Sequence, residues 1–461
     1  MTFNSHVFIL MFLPASLAGY FLLCKDKDDR VRKIFLLLVS YIFIFWGFDY
    51  AGLITIVVSS LINYLFYRAI PGNNKSASSK AIMALALVLN ILAIFIFKYL
   101  NSTLAGISSL TGADFTAINI IFPVGFSFYA FQQMGLIIDT YRGEYQEDIS
   151  LTDYLLFVSF FPRVLSGPIV TPQEFFPQLQ DMDRKKFNWD NVAKGLYRFA
   201  IGLGKKVLIA DYLAIMAAEV FDHVFDYQGI QAFIGALAFS LQLYFDFSGY
   251  TDMAIGIGHM FNFDLPENFD SPYKSTNIKE FWNRWHMTLT RFLTKYVYFT
   301  LGGSRNGKVR AYINIIIVFL ISGLWHGSKD MMPFIAWGLY VGIAMVIYRM
   351  TARWYDKLPK PLAWLINTLV IIFSWIPFRA SDLMVARILT KNIFMPGPLP
   401  SLSWDLCILI FAMILAFVPK NARQVTEDFD PSLSRAVFGA LLIVLSLISS
   451  TGVGTFIYAG F

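Results

Sequence analysis

The chain has 461 residues, 57% of them hydrophobic and only 15% charged, with a formal net charge of +6. Soluble globular proteins carry about 25% charged residues, so the composition excludes that class and points to a chain embedded in a membrane. The cations are scattered between apolar runs and form no basic domain, which excludes a nucleic-acid-binding protein.

Runs free of charge recur at residues 7–24, 34–48, 51–67, 81–97, 115–138, 228–245, 311–325, 331–348, 361–378, 406–419 and 436–461. Most approach the roughly 20 residues that cross a bilayer as a helix, which predicts about eleven crossings. No Lys or Arg precedes the first run, so it reads as a span and not as a cleaved secretory signal. The two cysteines, Cys24 and Cys407, are too few for a disulfide framework or a thiolate metal site. Lys25, Lys27, Arg30, Arg32 and Lys33 follow the first run, and Arg68, Lys75 and Lys80 follow the third. The connections around Asp49 and across 101–113 contain no Lys or Arg. The positive-inside tendency then puts the first and third connections in the cytoplasm and the N-terminus outside.

Two stretches, 139–206 and 246–310, break this rhythm with Pro, Gly, aromatic and charged residues. Their apolar pieces are too short to cross, and irregular backbone at membrane depth survives only where protein or a water-filled cavity satisfies it. The expected fold is therefore an all-α integral membrane protein, a single polytopic domain over 1–461. It has N-terminal helices over 1–138, a core over 139–380 with short re-entrant or interfacial helices around a central tunnel, and C-terminal helices over 381–461.

Within the first stretch, Phe160-Phe-Pro-Arg-Val-Leu-Ser-Gly-Pro-Ile169 reads as a re-entrant turn, with Arg163 either shaping it or binding a phosphate or carboxylate. The second stretch opens with Leu243-Tyr-Phe-Asp-Phe-Ser-Gly-Tyr-Thr-Asp252. Buried carboxylates need partners, so Asp246 and Asp252 either orient a histidine or bind Arg284 or Arg291. The alternative is that Asp246, Ser248 or Thr251 caps a helix. Gly249, Gly256 and Gly258 permit close helix packing.

From Asn277 to Lys295 the spacing predicts one helix, capped by Asn277 with Glu280 in the reciprocal position. Ile278, Trp282, Trp285, Leu289, Phe292 and Tyr296 form its apolar stripe, beside a polar one of Lys279, Asn283, His286 and Thr290. It reads either as a functional seam around His286 or as an interfacial helix with an aromatic belt and snorkelling cations. His326 closes the apolar run 311–325, between Ser322, Gly323, Gly327 and Ser328. An imidazole at hydrocarbon depth is costly and marks a functional site by default. Neutral imidazole can take a proton from an attacking hydroxyl; the alternative is a helix-terminal histidine bonded to a backbone carbonyl. His6, His223 and His259 have weaker contexts and read as structural or interfacial. Gly202-Leu-Gly-Lys-Lys206 lacks the first glycine and the Ser/Thr of a phosphate loop. No Gly-x-Ser-x-Gly elbow and no zinc-spaced histidine pair occurs.

The ordered motifs Phe245-Asp-Phe-Ser-Gly-Tyr-Thr-Asp252, Glu267-Asn-Phe-Asp-Ser-Pro-Tyr273, Glu280-Phe-Trp-Asn-Arg-Trp-His286, Leu301-Gly-Gly-Ser-Arg305 and Gly323-Leu-Trp-His-Gly327 resemble those of the membrane-bound O-acyltransferase family. The likeness is to its bacterial polysaccharide branch and runs from roughly the first span to about residue 380. It implies a ring of helices around a thinned centre, with a tunnel joining the two membrane faces. By motif match His326 is implied to be the catalytic histidine and His286 the second functional one. Asp246, Asp252, Asn283, Arg284, Trp285 and Trp325 are implied to support the tunnel, and Arg163 departs from a pattern that usually has a neutral residue there. The implied reaction is O-acetylation of an exported polysaccharide, alginate-like or cell-wall, in the bacterial inner membrane. Acetyl-CoA or another acyl thioester is the donor, no cofactor is bound, and a separate extracytoplasmic hydrolase-like transferase is the partner. Two rivals stand beside this expectation: D-alanyl or lipid acyl transfer from a carrier-protein thioester, and a polytopic transporter without acyl chemistry.

Overall fold

The computed structural model describes residues 1–23, 28–70, 76–112, 114–118, 120, 123, 125–327, 330–400 and 403–450. Cys24, Lys25, Lys27, Lys75, Ser328 and the last residues of the final apolar run lie outside the described residues. Every regular element among the described residues is helical, and the one β-contact is an isolated bridge between Phe269 and Trp285. The chain is thus an all-α membrane protein.

The chain opens with α1 (Leu13–Ala18) between π-helical turns at Phe8–Phe12 and Gly19–Leu23. It continues through α2 (Asp29–Ala69), α3 (Ala77–Thr111), α4 (Phe126–Arg142), α5 (Leu151–Ser159) and α6 (Pro172–Gln180). The middle comprises α7 (Trp189–Gly204), a π-helical turn at Lys205–Ala210, α8 (Asp211–Asp222), α9 (Gly229–Met260), α10 (Ile278–Arg284) and α11 (Met287–Leu293). Then come α12 (Gly307–His326), α13 (Met332–Tyr355), α14 (Lys360–Arg379), α15 (Leu383–Ile393), α16 (Trp404–Phe417), α17 (Ala422–Glu427) and α18 (Leu433–Ser449).

Among the described residues, six segments are long and apolar enough to cross a membrane: Tyr50–Ala69, α3, α9, α12, α13 and α14. Phe8–Leu22, α16 and α18 are shorter apolar helices. Two features separate this from the expected eleven. Among the described residues of run 115–138 the helix begins at Phe126, after Gly125 turns left-handed (φ 76°), and α4 is buried almost throughout, Gln132, Gln133 and Asp139 included. Runs 34–48 and 51–67 belong to one helix, α2, of 41 residues.

That helix cannot be straight. Near its start Lys33 pairs with Asp153 at 2.8 Å. Near its end Tyr67 packs on Tyr154 with ring centroids 6.2 Å apart. A straight helix would put residues 33 and 67 about 51 Å apart, yet both reach the start of α5. α2 therefore folds back along its length, and its two ends share one face.

The centre is α9, with 72% of its apolar window buried. Glycines let α7 approach it closely. A Cβ on Gly256 would lie 2.6 Å from the Gly195 carbonyl oxygen, and one on Gly202 would lie 2.5 Å from that of Gly249. Such small-residue seams replace the hydrophobic driving force that lipid removes. Gly258 has a different use: its Cβ would meet the Phe263 carbonyl at 2.9 Å, where the chain turns back after α9.

α9 does not end near Asp246, and this corrects the reading of both carboxylates. Asp246 and Asp252 lie inside the helix and cap nothing. Because α9 continues, they face α7 and the turn after it. Lys206 reaches Asp246 at 2.6 Å, and Arg198 and Lys205 reach Asp252 at 2.9 and 2.7 Å. The expected cations are engaged elsewhere: Arg284 with Glu280 at 2.9 Å and Arg291 with Glu174 at 2.5 Å. Burial opposes the Glu174 charge, but hydrogen bonds from Arg291 and Thr171 outweigh it and hold the carboxyl below its usual range.

Gly256→Ala should therefore strain the α7–α9 seam and cost about 1–3 kcal/mol by overpacking. It reads out as a lower Tm in detergent, whereas Gly106→Ala, where a Cβ meets nothing within 4 Å, should leave Tm unchanged or raise it.

Candidate active site

His326 is the last residue of α12, which stops because Gly327 takes an extended conformation (ψ 150°) and returns its N–H to the Gly323 carbonyl at 2.9 Å. The final carbonyls of a helix have no partner within it. Here α3 supplies two: Lys98 Nζ donates to the Trp325 carbonyl at 2.6 Å, and the Tyr99 hydroxyl donates to that of Leu324. Gly323, near His326, makes room for α13. A Cβ on Gly323 would collide with the Phe334 carbonyl, and one on Gly338 would sit 2.5 Å from that of Phe319, so α12 and α13 touch backbone to backbone.

His286 is positioned differently from expectation. The predicted helix over 277–295 breaks there: α10 ends at Arg284, Trp285 is extended, and His286 is left-handed with φ 44° before α11 begins. Asn277 does cap the start, its side chain accepting from Glu280 N at 2.8 Å. A left-handed conformation is uncommon for a residue with a side chain, and tertiary bonds hold it. Asp270 N donates to the Arg284 carbonyl and Met287 N to the Asn268 carbonyl, both at 3.0 Å. Asn268 Oδ1 accepts from Thr288 N at 3.2 Å and Thr288 Oγ1 at 2.7 Å, and lies 3.3 Å from His286 Nδ1. Thr288 Oγ1 in turn accepts from Ile169 N at 3.0 Å, which ties the 160–169 turn to the same site.

Helix end and helix break bring the two imidazoles together. Their ring centroids are 6.4 Å apart, and both side chains are buried. Aromatic rings enclose them: His326 meets Trp337, Phe378 and Trp325 edge to face, and His286 meets Phe247 and Trp325 in the same way. Both line one cavity of about 190 Å³. Ile315, Val318, Phe319, Ser322 and His326 form its wall along α12, a length of about 16 Å at 1.5 Å per residue. At the other end stand Lys279, Asn283 and Arg349, all exposed, while Trp285, Trp337 and Trp375 are buried beside the histidines. The cavity thus runs from a cationic surface opening to a buried histidine pair.

The opening lies on a face rich in cations. Lys308 and Arg310 begin α12 beside Arg349 and Arg353 at the end of the neighbouring α13. Lys295 joins Asp139 and Glu144 at 2.8 Å each, and Arg142 donates to Thr300 at 2.9 Å. Arg68 bridges to nearby Asp148. The same face therefore carries the ends of α2 and the cavity mouth.

Among the residues singled out from the sequence, His286, His326, Asn283 and Trp285 line the cavity. Trp325 packs between the two histidines and Phe128 and Phe131. Arg284 points to Glu280 and the Asp270 carbonyl. Asp246 and Asp252 belong to the α7–α9 ion network. Arg163 is fully buried between the rings of Phe157 and Phe175, with its guanidinium carbon 5.1 and 4.9 Å from their centroids, and donates to Gln132. It does not line the cavity. Lys98, Asn268, Trp337, Arg349 and Trp375 were not singled out. Trp337 and Trp375 lie inside ordinary-looking spans, and Asn268 had no local signal beyond its place in a matching motif.

Two buried histidines in an apolar cavity suit proton transfer to and from a reactant shielded from water. Sequence comparison identifies the setting. A profile of the membrane-bound O-acyltransferase family matches residues 144–385. The chain belongs to that family. It is an acyltransferase, which decides against the transporter reading. The peptidoglycan O-acetyltransferase of Helicobacter pylori is 40% identical over 85% of this chain and 79% of its own length. The probable alginate O-acetylase AlgI of Azotobacter vinelandii is 38% identical over 84% of this chain and 76% of its own. The teichoic acid D-alanyltransferase of Bacillus subtilis is 27% identical over 80% and 93% respectively.

The motif Glu267–Tyr273 that clamps His286 is itself held by Arg198, which bonds Glu267 at 2.6 Å and Asp252 at 2.9 Å while 3% exposed. Arg198→Met takes the cation from Glu267 and leaves Asp252 with Lys205 alone, and should cost about 1–3 kcal/mol. A Tm in detergent equal to wild type would show that the network holds nothing.

Proposed function

We propose that this acyltransferase moves an acetyl group from a cytoplasmic thioester to an acceptor at the outer side of the membrane, for O-acetylation of an exported polysaccharide, either alginate-like or cell-wall. The observation that carries this reading is the cavity that joins Lys279 and Arg349 at its exposed end to His286 and His326 at its buried end. The positive-inside tendency makes the cationic mouth cytoplasmic. The N-terminal amine supports the same orientation: it donates to the Trp46 carbonyl at 3.0 Å, in the middle of the folded-back α2, away from the face shared by its two ends. The N-terminus is then extracytoplasmic, in a bacterial inner membrane.

A thioester is already activated, so the reaction needs positioning and one proton acceptor. The acceptor oxygen attacks the thioester carbonyl carbon as His326 takes the hydroxyl proton. The new C–O bond forms, the C–S bond breaks, and the imidazolium returns its proton to the departing thiolate. The narrow aromatic cavity keeps water from competing for the donor. Lys279 and Arg349 suit a donor that carries phosphates, acetyl-CoA above all, since both present charged donors at the mouth. The first acceptor fits a separate extracytoplasmic hydrolase-like transferase that passes the acetyl group to the polymer, as the likeness to the alginate O-acetylases supports. The teichoic acid D-alanyltransferase likeness favours, as second reading, a D-alanyl thioester on a carrier protein.

Radiolabelled acetyl-CoA given to reconstituted protein with polymer and partner separates the two: label on the polymer supports the acetyl reading, and label retained in acetyl-CoA sinks it. His326→Ala should lower that transfer at least about 100-fold while the protein stays membrane-inserted and monodisperse. Lys279→Ala combined with Arg349→Ala should raise KM for acetyl-CoA at least about tenfold with kcat little changed; an unchanged KM would remove these cations from donor binding.

A further inference from the structure

Asn268 contributes nothing to the cavity wall, yet its side chain decides what His286 can do. The argument starts from two groups whose polarity is not in question. The backbone N–H of Thr288 can only donate, and it lies 3.2 Å from the Asn268 side-chain atom that also faces His286. That atom is therefore the amide oxygen and not the nitrogen. The backbone N–H of Ile169 likewise can only donate, and it bonds Thr288 Oγ1 at 3.0 Å. The threonine hydroxyl consequently sends its own proton to Asn268 Oδ1 at 2.7 Å. The third group at that oxygen is His286 Nδ1, at 3.3 Å. An amide oxygen accepts only, so Nδ1 must carry the proton.

We infer that Asn268 is a positioning residue that locks His286 as the Nδ1–H tautomer and so presents the lone pair of Nε2 to the reactants. The second nitrogen of an imidazole is set by the bond the first one makes. Phe247 and Trp325 pack against the ring at centroid distances of 4.8 and 6.2 Å and limit its rotation. Asn268 cannot turn away, because it is fully buried and its own backbone carbonyl holds Met287 N at 3.0 Å. The neighbouring Glu267 is pinned by Arg198, so the clamp is anchored to α7 and α9. In this arrangement neutral His286 accepts at Nε2 and does not donate there. The group it serves at Nε2 is therefore a hydrogen-bond donor. His286 then shares the proton chemistry with His326 rather than only shaping the wall.

The tautomer can be read without any substrate, so the lock stands or falls apart from the acyl-transfer reading on which its rate arm rests. Nitrogen-15 NMR of the full-length protein with labelled histidine should show His286 protonated at Nδ1 and bare at Nε2, assigned by loss of the signal in His286→Gln. Asn268→Ala should lose that single tautomer and lower the transfer kcat at least about tenfold, with the donor KM within twofold. Asn268→Asp keeps an acceptor oxygen and should restore both the tautomer and most of the rate. A wild-type His286 protonated at Nε2 overturns the inference whatever the variants do. So does Asn268→Ala with an unchanged kcat, or a loss of rate that Asn268→Asp does not reverse. A correct tautomer in protein that transfers nothing would instead count against the proposed function alone.

Discussion

The bridge between Phe269 and Trp285 is the contact on which the site depends. A helix broken at membrane depth exposes backbone groups that lipid cannot satisfy. The break between α10 and α11 is tolerated because residues 268–270 run beside it and take up those groups. Without that short antiparallel contact, 278–296 would relax into one continuous helix and His286 would stay on its polar stripe. With it, the chain turns the imidazole into the protein, 6.4 Å from the ring at the end of α12. The clamp is held in turn by Arg198, Asp252 and the glycine seam between α7 and α9. Electrostatic and packing terms far from the chemistry thus set the geometry at its centre.

A second constraint is the one-sidedness of the charge. Cations at the ends of α2, at Lys295, and at the adjoining ends of α12 and α13 lie on the face where the cavity opens. The opposite end of the cavity is lined by tryptophans and two histidines. Cationic side chains therefore gather at one end of the cavity, while the other is enclosed by aromatic rings, where electrostatic interactions are stronger and water is scarce.

How much of this was legible in the sequence depended on the range of the interaction. The all-helical membrane class was legible because apolar runs are local. His326 was legible because an imidazole at the end of fifteen uncharged residues, 311–325, has few innocent explanations. The break at His286 was not, because Ile278, Trp282, Trp285, Leu289, Phe292 and Tyr296 keep helical spacing straight through it. Only a segment some seventeen residues earlier, at Phe269, overrides that local preference. Asp246 and Asp252 misled for a related reason: a carboxylate after an apolar run looks like a cap, and their partners Arg198, Lys205 and Lys206 come from another helix. The fold-back of α2 was half visible: the cation pattern put both its flanks on one face but suggested a loop where the helix continues.

Lys98 and Tyr99 finish the end of α12 from α3, and α3 lies outside the residues that the family profile matches, 144–385. The recognisable core is therefore not self-sufficient at its most sensitive point. Two relatives could share every residue near the histidines and still not exchange their N-terminal helices, because the incoming segment must bring donors that fit the last carbonyls of the host's α12. Modularity in this chain ends at a helix terminus, and divergence in the N-terminal third must keep step with a histidine more than two hundred residues away.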